Sequence, residues 1–194
     1  MTDARDLDAR TRADEADVAR ARAGDTAAFA ALVRRHQDRV FGFILRMLDA
    51  RDEAMELTQD VFVKAWQALP GWRPEARFST WLLQIARNAA LDQLRRRRVV
   101  QFAPLDDGMD VADTAPGPEA RYASRQRQAL LENALQQIAA EHREILLLRE
   151  VEDLSYGELA AVLGIAEGTV KSRLARARAA LLQHFRPHAG VRDD

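Results

Sequence analysis

LSYGELAAVLGIAEGTVKSRLARARAALLQHF, from Leu154 to Phe185, holds two helical patterns separated by a glycine. The first runs from about Ser155 to Leu163, with Leu159, Ala160 and Leu163 on its apolar face and small Ala160 admitting a partner helix. Gly164 follows the last periodic residue, where a helix stop favours a left-handed backbone that glycine adopts without a Cβ penalty. The second pattern starts near Glu167 and repeats apolar residues at Val170, Leu174, Ala177 and Leu181, the spacing of one helical face. Lys171, Arg173, Arg176 and Arg178 crowd its other sides. A helix held on a first helix with its cations outward suits the DNA major groove. A solvated Arg-rich helix in a bundle would share the charge. It would not require the turn glycine, the small residue and the basic face to coincide.

Working outward, the 194-residue chain can form one large or two small domains. Its formal net charge is -1, so the whole molecule is no general polyanion binder. The charge is segregated. Asp3, Asp6, Asp8, Asp14, Glu15 and Asp17 crowd the N-terminus among arginines, and cations gather at Arg95 to Arg98 and Lys171 to Arg178. Local basic patches in a neutral chain predict contact with nucleic acid in places and protein elsewhere. Cysteine is absent, which excludes disulfides, a thiol nucleophile and a Cys-based zinc site. His184 and His188 have a helical offset, but Pro187 intervenes and a solvated tail is expected rather than a metal site. No cofactor is predicted. With no long apolar run and a charged N-terminus, neither a signal peptide nor a membrane span is expected, and a cytoplasmic protein is.

Strand signals are scarce, and apolar residues recur at three and four, so the expected fold is all-α. Residues up to about Arg12 read as disordered or loosely helical, within an N-terminal segment spanning 1–24. A helix from Ala13 to Ala23 is closed by Gly24, and Asp25 is a plausible N-cap for the next, Thr26 to Leu48. Phe29, Leu32, Val33, Val40, Phe43, Ile44 and Met47 form its core face. A third helix covers about Asp52 to Leu69, with Ala54, Leu57, Val61, Ala65 and Leu69 inward, before Pro70, Gly71 and Pro74 break the chain. Ser79 caps a fourth that runs to the arginine cluster, which closes one bundle over 25–98. Residues 99–121 read as a flexible acidic linker. FAPLDDGMDVADTAPGPEA holds three prolines, two glycines and five acidic residues. Helices resume at about Tyr122 to Ala139 and Glu141 to Val151, then the helix-turn-helix completes a second domain over 122–186, with a tail at 187–194.

Two helices carry surplus chemistry. The third keeps Glu56, Gln59, Asp60 and Lys64 outside its core stripe, beside Phe62 and Trp66. Carboxylates beside exposed rings make a protein-docking face; a core that takes both rings is the other reading. On the fourth, Trp81, Gln84, Asn88, Asp92 and Arg95 follow one stripe opposite Leu82, Ile85, Ala86 and Ala89. A ring, an amide and a cation on one surface suit unstacked bases. The preceding loop GWRPEARFS adds Trp72, Arg73, Arg77 and Phe78, which could wall off a pocket for a flipped base. Alternatively Trp81 packs under that loop.

The order ELTQDVFVKAW, FSTWLLQIARNAALDQLRRRR, an acidic linker and LSYGELAAVLGIAEGTVKSRLARAR resembles the bacterial extracytoplasmic-function (ECF) sigma factors, over about Asp25 to Phe185. The resemblance implies a region-two domain followed by a region-four domain. It places Glu56, Gln59, Asp60, Phe62 and Trp66 on the β′ clamp helices of core RNA polymerase, with the β flap as a further polymerase contact. It places Phe78, Trp81, Asn88, Asp92 and Arg95 in the segment that melts the minus-ten element and captures a non-template base, Asn88 and Asp92 where members vary to set base choice. Lys171, Ser172, Ala175 and Arg176 match recognition-helix positions facing the minus-thirty-five element. Ala175 could touch only a thymine methyl or backbone there.

In the family the linker lies in the polymerase's cationic cleft, where Asp106, Asp107, Asp110, Asp113 and Glu119 would mimic the charge of RNA; a plain solubilising tether has the same composition. The family lacks the long aromatic melting segment of housekeeping sigma factors, as this chain does, which implies stringent promoter choice. Promoter DNA and an anti-sigma factor are the other implied partners, with no membrane insertion of the chain's own. The expectation is a transcription initiation factor without catalysis. A sigma-like decoy that binds anti-sigma without DNA is a rival, set against by Arg95, Lys171 and Arg176. An ordinary helix-turn-helix repressor is another, but it leaves ELTQDVFVKAW and the acidic linker unexplained.

Overall fold

Apolar residues at three- and four-residue intervals form helices throughout. The computed structural model describes residues 4–101 and 119–185, and among these no strand occurs. The helices are α1 (Ala4–Arg22), α2 (Thr26–Leu48), α3 (Arg51–Ala68), α4 (Phe78–Gln101), α5 (Glu119–Gln137), α6 (Ala140–Leu146), α7 (Tyr156–Leu163) and α8 (Glu167–His184). A 3-10 turn, Leu69–Gly71, follows α3, and α6 continues in a wider turn over Leu147–Val151.

The N-terminal bundle is built on α2. The Asp25 carboxylate accepts from the N–H groups of Ala27 and Ala28 and starts this helix where expected. Leu32, Val40, Phe43, Ile44 and Met47 are buried, and Phe29 and Val33 partly so. The expectation that the chain is disordered or loosely helical up to Arg12 resolves as helix from Ala4. Polar groups, invisible to a hydropathy pattern, hold α1 in place. Buried Asp14 lies 2.9 Å from Nε2 of buried His36, and Arg35 donates to Asp14 and, at 2.7 Å, to Asp17. Hydrogen bonds from Arg35 and then Arg20 hold the Asp17 carboxyl below its ordinary range, against the opposing cost of burial. α4 begins at Phe78, one residue before the expected Ser79 cap, and continues to Gln101.

In the C-terminal bundle the helix-turn-helix forms as its spacing predicts. Ser155 and Glu158 cap α7 reciprocally, and Gly164 closes it at φ 65°. Leu159, Val162 and Leu163 of α7 meet Val170, Leu174 and Ala177 of α8 in the core. Arg143 of α6 is buried, and its guanidinium donates to the carbonyls of Leu135 and Gln136 at 2.8 Å each, near the end of α5. Burial pushes its pKa down, partly offset by the charge of Asp49.

The expected architecture was two bundles on a flexible linker spanning 99–121. The ends of that span are helical, in α4 and α5, and its middle, 102–118, lies outside the described residues, as does the tail at 186–194. The bundles pack on each other, and one apolar cluster runs from Val18 to Ala177. Helix α2 shows why they meet. Its last carbonyls have no partner within the helix. The carbonyl of Arg46 accepts from Gln136, that of Met47 from Arg143, and that of Leu48 from Arg97. Two of these three donors come from the other bundle.

Candidate nucleic-acid and protein interfaces

The inner face of α8 is fixed by Val170, Leu174 and Ala177, all buried. Lys171, Ser172, Ala175 and Arg176 are therefore carried together to the exposed side, as the sequence predicts. Lys171 lies 5.8 Å from the Tyr156 ring, which steadies its ammonium at the N-terminal end of the helix. Ser172 donates to its own helix at Thr169, and the Arg176 Nε donates to the Ser172 carbonyl at 3.3 Å. Neither Lys171 nor Arg176 has a carboxylate partner among the described residues. Two other arginines of α8 are engaged. Arg178 pairs with Glu150 at 2.6 Å, and Arg173 turns inward toward buried Glu144 at 3.9 Å.

On α4 the predicted stripe is only partly a free surface. Asn88, Asp92 and Arg95 are exposed; Trp81 and Gln84 are half-buried. Phe78, expected among the base-capturing residues, is 4% exposed and packs 5.5 Å from the His36 ring. Helix α4 starts at Phe78, so its side chain falls on the same face as core Leu82. Trp81 stacks on Trp72 of the loop at 5.1 Å and on Phe78 at 5.7 Å. The loop does wall a cleft, of about 780 Å³, but the other walls belong to α1 and α7, and neither Trp81 nor Asn88 lines it. Asn88 accepts from Arg87 at 3.1 Å, and Asp92 pairs with Arg95 at 2.9 Å. Arg87, which the sequence did not single out, also donates to Glu144 at 2.6 Å.

On α3, Glu56, Gln59, Asp60 and Lys64 are exposed. Phe62, expected on the docking face, is 7% exposed and part of the core. Its position next to Val61 and three before Ala65 sets it on the buried side. Trp66 is half-buried against Phe29, with ring centroids 4.9 Å apart. The open apolar groups are instead Met55 and Val63, 49% and 54% exposed, which flank Gln59 at one-turn spacing. The legible signal was an apolar pair falling off the core stripe Ala54, Val61, Ala65. Phe29, Phe62, Val63 and Trp66 together line a shallow apolar groove beside these residues.

No group of side chains that could hold a metal ion occurs among the described residues. No helix there is long and apolar enough to cross a membrane.

Comparison with known proteins agrees with this arrangement. The Sigma-70 region 2 family matches residues 32–99 and the Sigma-70 region 4 family residues 125–181. The chain is 34% identical to the RNA polymerase sigma-H factor of Pseudomonas aeruginosa over 90% of this chain and 94% of that one. It is 36% identical to the ECF RNA polymerase sigma factor SigM of Mycobacterium tuberculosis over 82% and 78%. Its fold is similar to that of the sigma factor RpoE in complex with the anti-sigma factor NepR from Bartonella quintana. The TM-score is 0.65 at 27% identity, over 80% of this chain and 95% of that one. Two family matches in order, carried by a helical bundle and a helix-turn-helix bundle, leave one assignment: the chain belongs to the ECF RNA polymerase sigma factors.

Proposed function

We propose that α8 enters the major groove of a minus-thirty-five element with Lys171, Ser172, Ala175 and Arg176 toward the DNA. The observation that carries this is their shared exposure opposite buried Val170, Leu174 and Ala177. A rigid inner face presents the outer one in a single orientation, as groove recognition needs. The outer stripe of α4, with Asn88, Asp92 and Arg95, meets the unpaired minus-ten bases, and Trp81 and Phe78 support it from beneath. The face formed by Glu56, Gln59, Asp60 and Val63, with Trp66 at its edge, docks on the β′ clamp helices of core polymerase.

On this reading 25–98 is the polymerase and minus-ten unit, 122–186 the minus-thirty-five unit, which also meets the β flap, and 99–121 the acidic connector through the polymerase cleft. A sigma factor selects promoters and is not an enzyme; the polymerase makes the phosphodiester bonds. The RpoE complex with NepR supports an anti-sigma factor as a partner here. Work inside the cytoplasm follows from that assignment.

Transcription of sheared genomic DNA by core polymerase, with and without the chain, tests this reading. Sequenced 5′ ends should gather downstream of one shared pair of elements when the chain is added. Ends identical to those of core polymerase alone would refute it.

A further inference from the structure

The outer stripe of α4 rests on a stack of rings, and the stack leads back to α1. Half-buried Trp81 lies 5.1 Å from Trp72 and 5.7 Å from Phe78, and Trp72 meets Phe78 edge to face at 6.1 Å. Trp72 and Phe78 also line the cleft of about 780 Å³, so they are not packed on every side. Phe78 is the buried member of the three. On its packed side the neighbouring ring is His36 of α2, 5.5 Å away and tilted by 60°.

The His36 ring is itself held by α1. Its Nε2 donates to the Asp14 carboxylate, 3.0 and 2.9 Å from the two oxygens. Both residues are buried. Burying polar groups costs stability unless they pair, and apolar side chains of similar size could join α1 to α2 without that cost. What the pair adds is direction. An imidazole locked through one nitrogen presents its face at a single angle, and a ring packed on it is held in turn. Helix α1 precedes residues 32–99, which match the region 2 family, so Asp14 lies outside that match.

We propose that Asp14 and His36 are positioning residues for promoter opening: through Phe78 they hold Trp81 and Trp72 at the angle from which α4 receives an unpaired base. A ring that is already ordered binds without the cost of ordering it. The inference rests on the assignment of α4 to the minus-ten bases, and the ring geometry itself can be measured without DNA. Asp17 supplies the contrast. It also ties α1 to α2, but its bonds go to Arg35 at 2.7 Å and to Arg20, not to His36.

Three single variants of the full chain separate positioning from bracing. Asp14→Ala removes the acceptor, His36→Gln keeps a donor for Asp14 but takes away the ring, and Asp17→Ala loosens α1 alone. Opening is followed with permanganate on a duplex selected from a random pool by chain plus core polymerase. Asp14→Ala and His36→Gln should slow it about five- to tenfold, and Asp17→Ala should leave it near the parent's rate. Asp14→Asn, which still offers an oxygen to Nε2, should recover most of the loss. In a Trp66→Phe background Trp72 and Trp81 are the remaining two of three tryptophans. Their near-ultraviolet circular dichroism should weaken in Asp14→Ala and His36→Gln and persist in Asp17→Ala. Should Asp14→Ala fail to fold, His36→Gln against Asp17→Ala decides the same question. Equal slowing by all the variants would make α1 a general brace and overturn the proposal. So would the parent's rate in His36→Gln, or spectra unchanged by it. If the parent chain opens no selected duplex, the minus-ten assignment of α4 fails, while the spectra still decide whether His36 sets the rings.

Discussion

The outward faces of α8 and α4 differ in how free they are. Among the described residues, Lys171 and Arg176 of α8 meet a ring and a backbone carbonyl, while Val170, Leu174 and Ala177 of the inner face are buried. On α4, Asn88 is held by Arg87, Asp92 by Arg95, and Trp81 by Trp72. On the proposed assignment the C-terminal reader is ready-made, whereas the N-terminal one would exchange internal bonds for DNA. Duplex DNA can be met by a fixed helix, but unpaired bases exist only after opening.

The sharpest test of this contrast is to break the support beneath each surface. Arg143→Ala removes a buried guanidinium that serves carbonyls of both bundles. The loss should be about 3–5 kcal/mol, because the buried acceptors are left unpaired. Urea unfolding followed by circular dichroism reads it, and an unchanged midpoint would deny that Arg143 ties the bundles. Phe62→Ala should cost a similar amount, about 3–5 kcal/mol, as a buried ring is deleted. Asp60→Ala with Val63→Ala should leave stability within about 0.5 kcal/mol yet lose co-purification with core polymerase. Retained co-purification would remove α3 from that interface.

Next in size is the readiness of α8. Lys171→Ala should weaken binding to the cognate upstream duplex by about 1–3 kcal/mol and to scrambled DNA hardly at all. Equal losses on both, with a salt slope lower by about one, would make Lys171 a phosphate contact. For α4, Asn88→Ala should leave duplex binding nearly intact but reduce permanganate reactivity in the minus-ten region. It should also relax base preference at one position, at a cost of about 1–3 kcal/mol. Unaltered reactivity and preference would end the comparison on the α4 side.

The smallest expected effect is on acidity. Burial disfavours the Glu158 carboxylate, but the Ser155 N–H and hydroxyl and the Thr80 hydroxyl outweigh it and hold its pKa below the ordinary value. Its contribution is therefore complete at neutral pH. That contribution is lost as pH falls from about 4.3, the unfolded value, through the lower folded one. Glu158→Gln should flatten stability against pH in that window only, as thermal melts would show. A variant with the parent's acid profile would remove Glu158 from the account.

The sequence alone determined the helices and their order. Asp25, Ser155 with Glu158, and Gly164 set boundaries through bonds within a few residues, which local sequence carries. The apolar stripe of α8 fixed which of its residues face outward for the same reason, since helical periodicity is a local property. The burial of Phe62 and Phe78 was not legible, because the number of rings that a small bundle can bury depends on how its helices cross. Only the tertiary structure decided that the bundles close on one another. Arg39 with Glu152, Arg87 with Glu144, and Arg143 with the end of α2 are separated in the chain by 113, 57 and 96 residues respectively. Each reads as an ordinary charged surface residue, and periodicity treats such residues alike. Their partners exist only once folding has brought distant segments together.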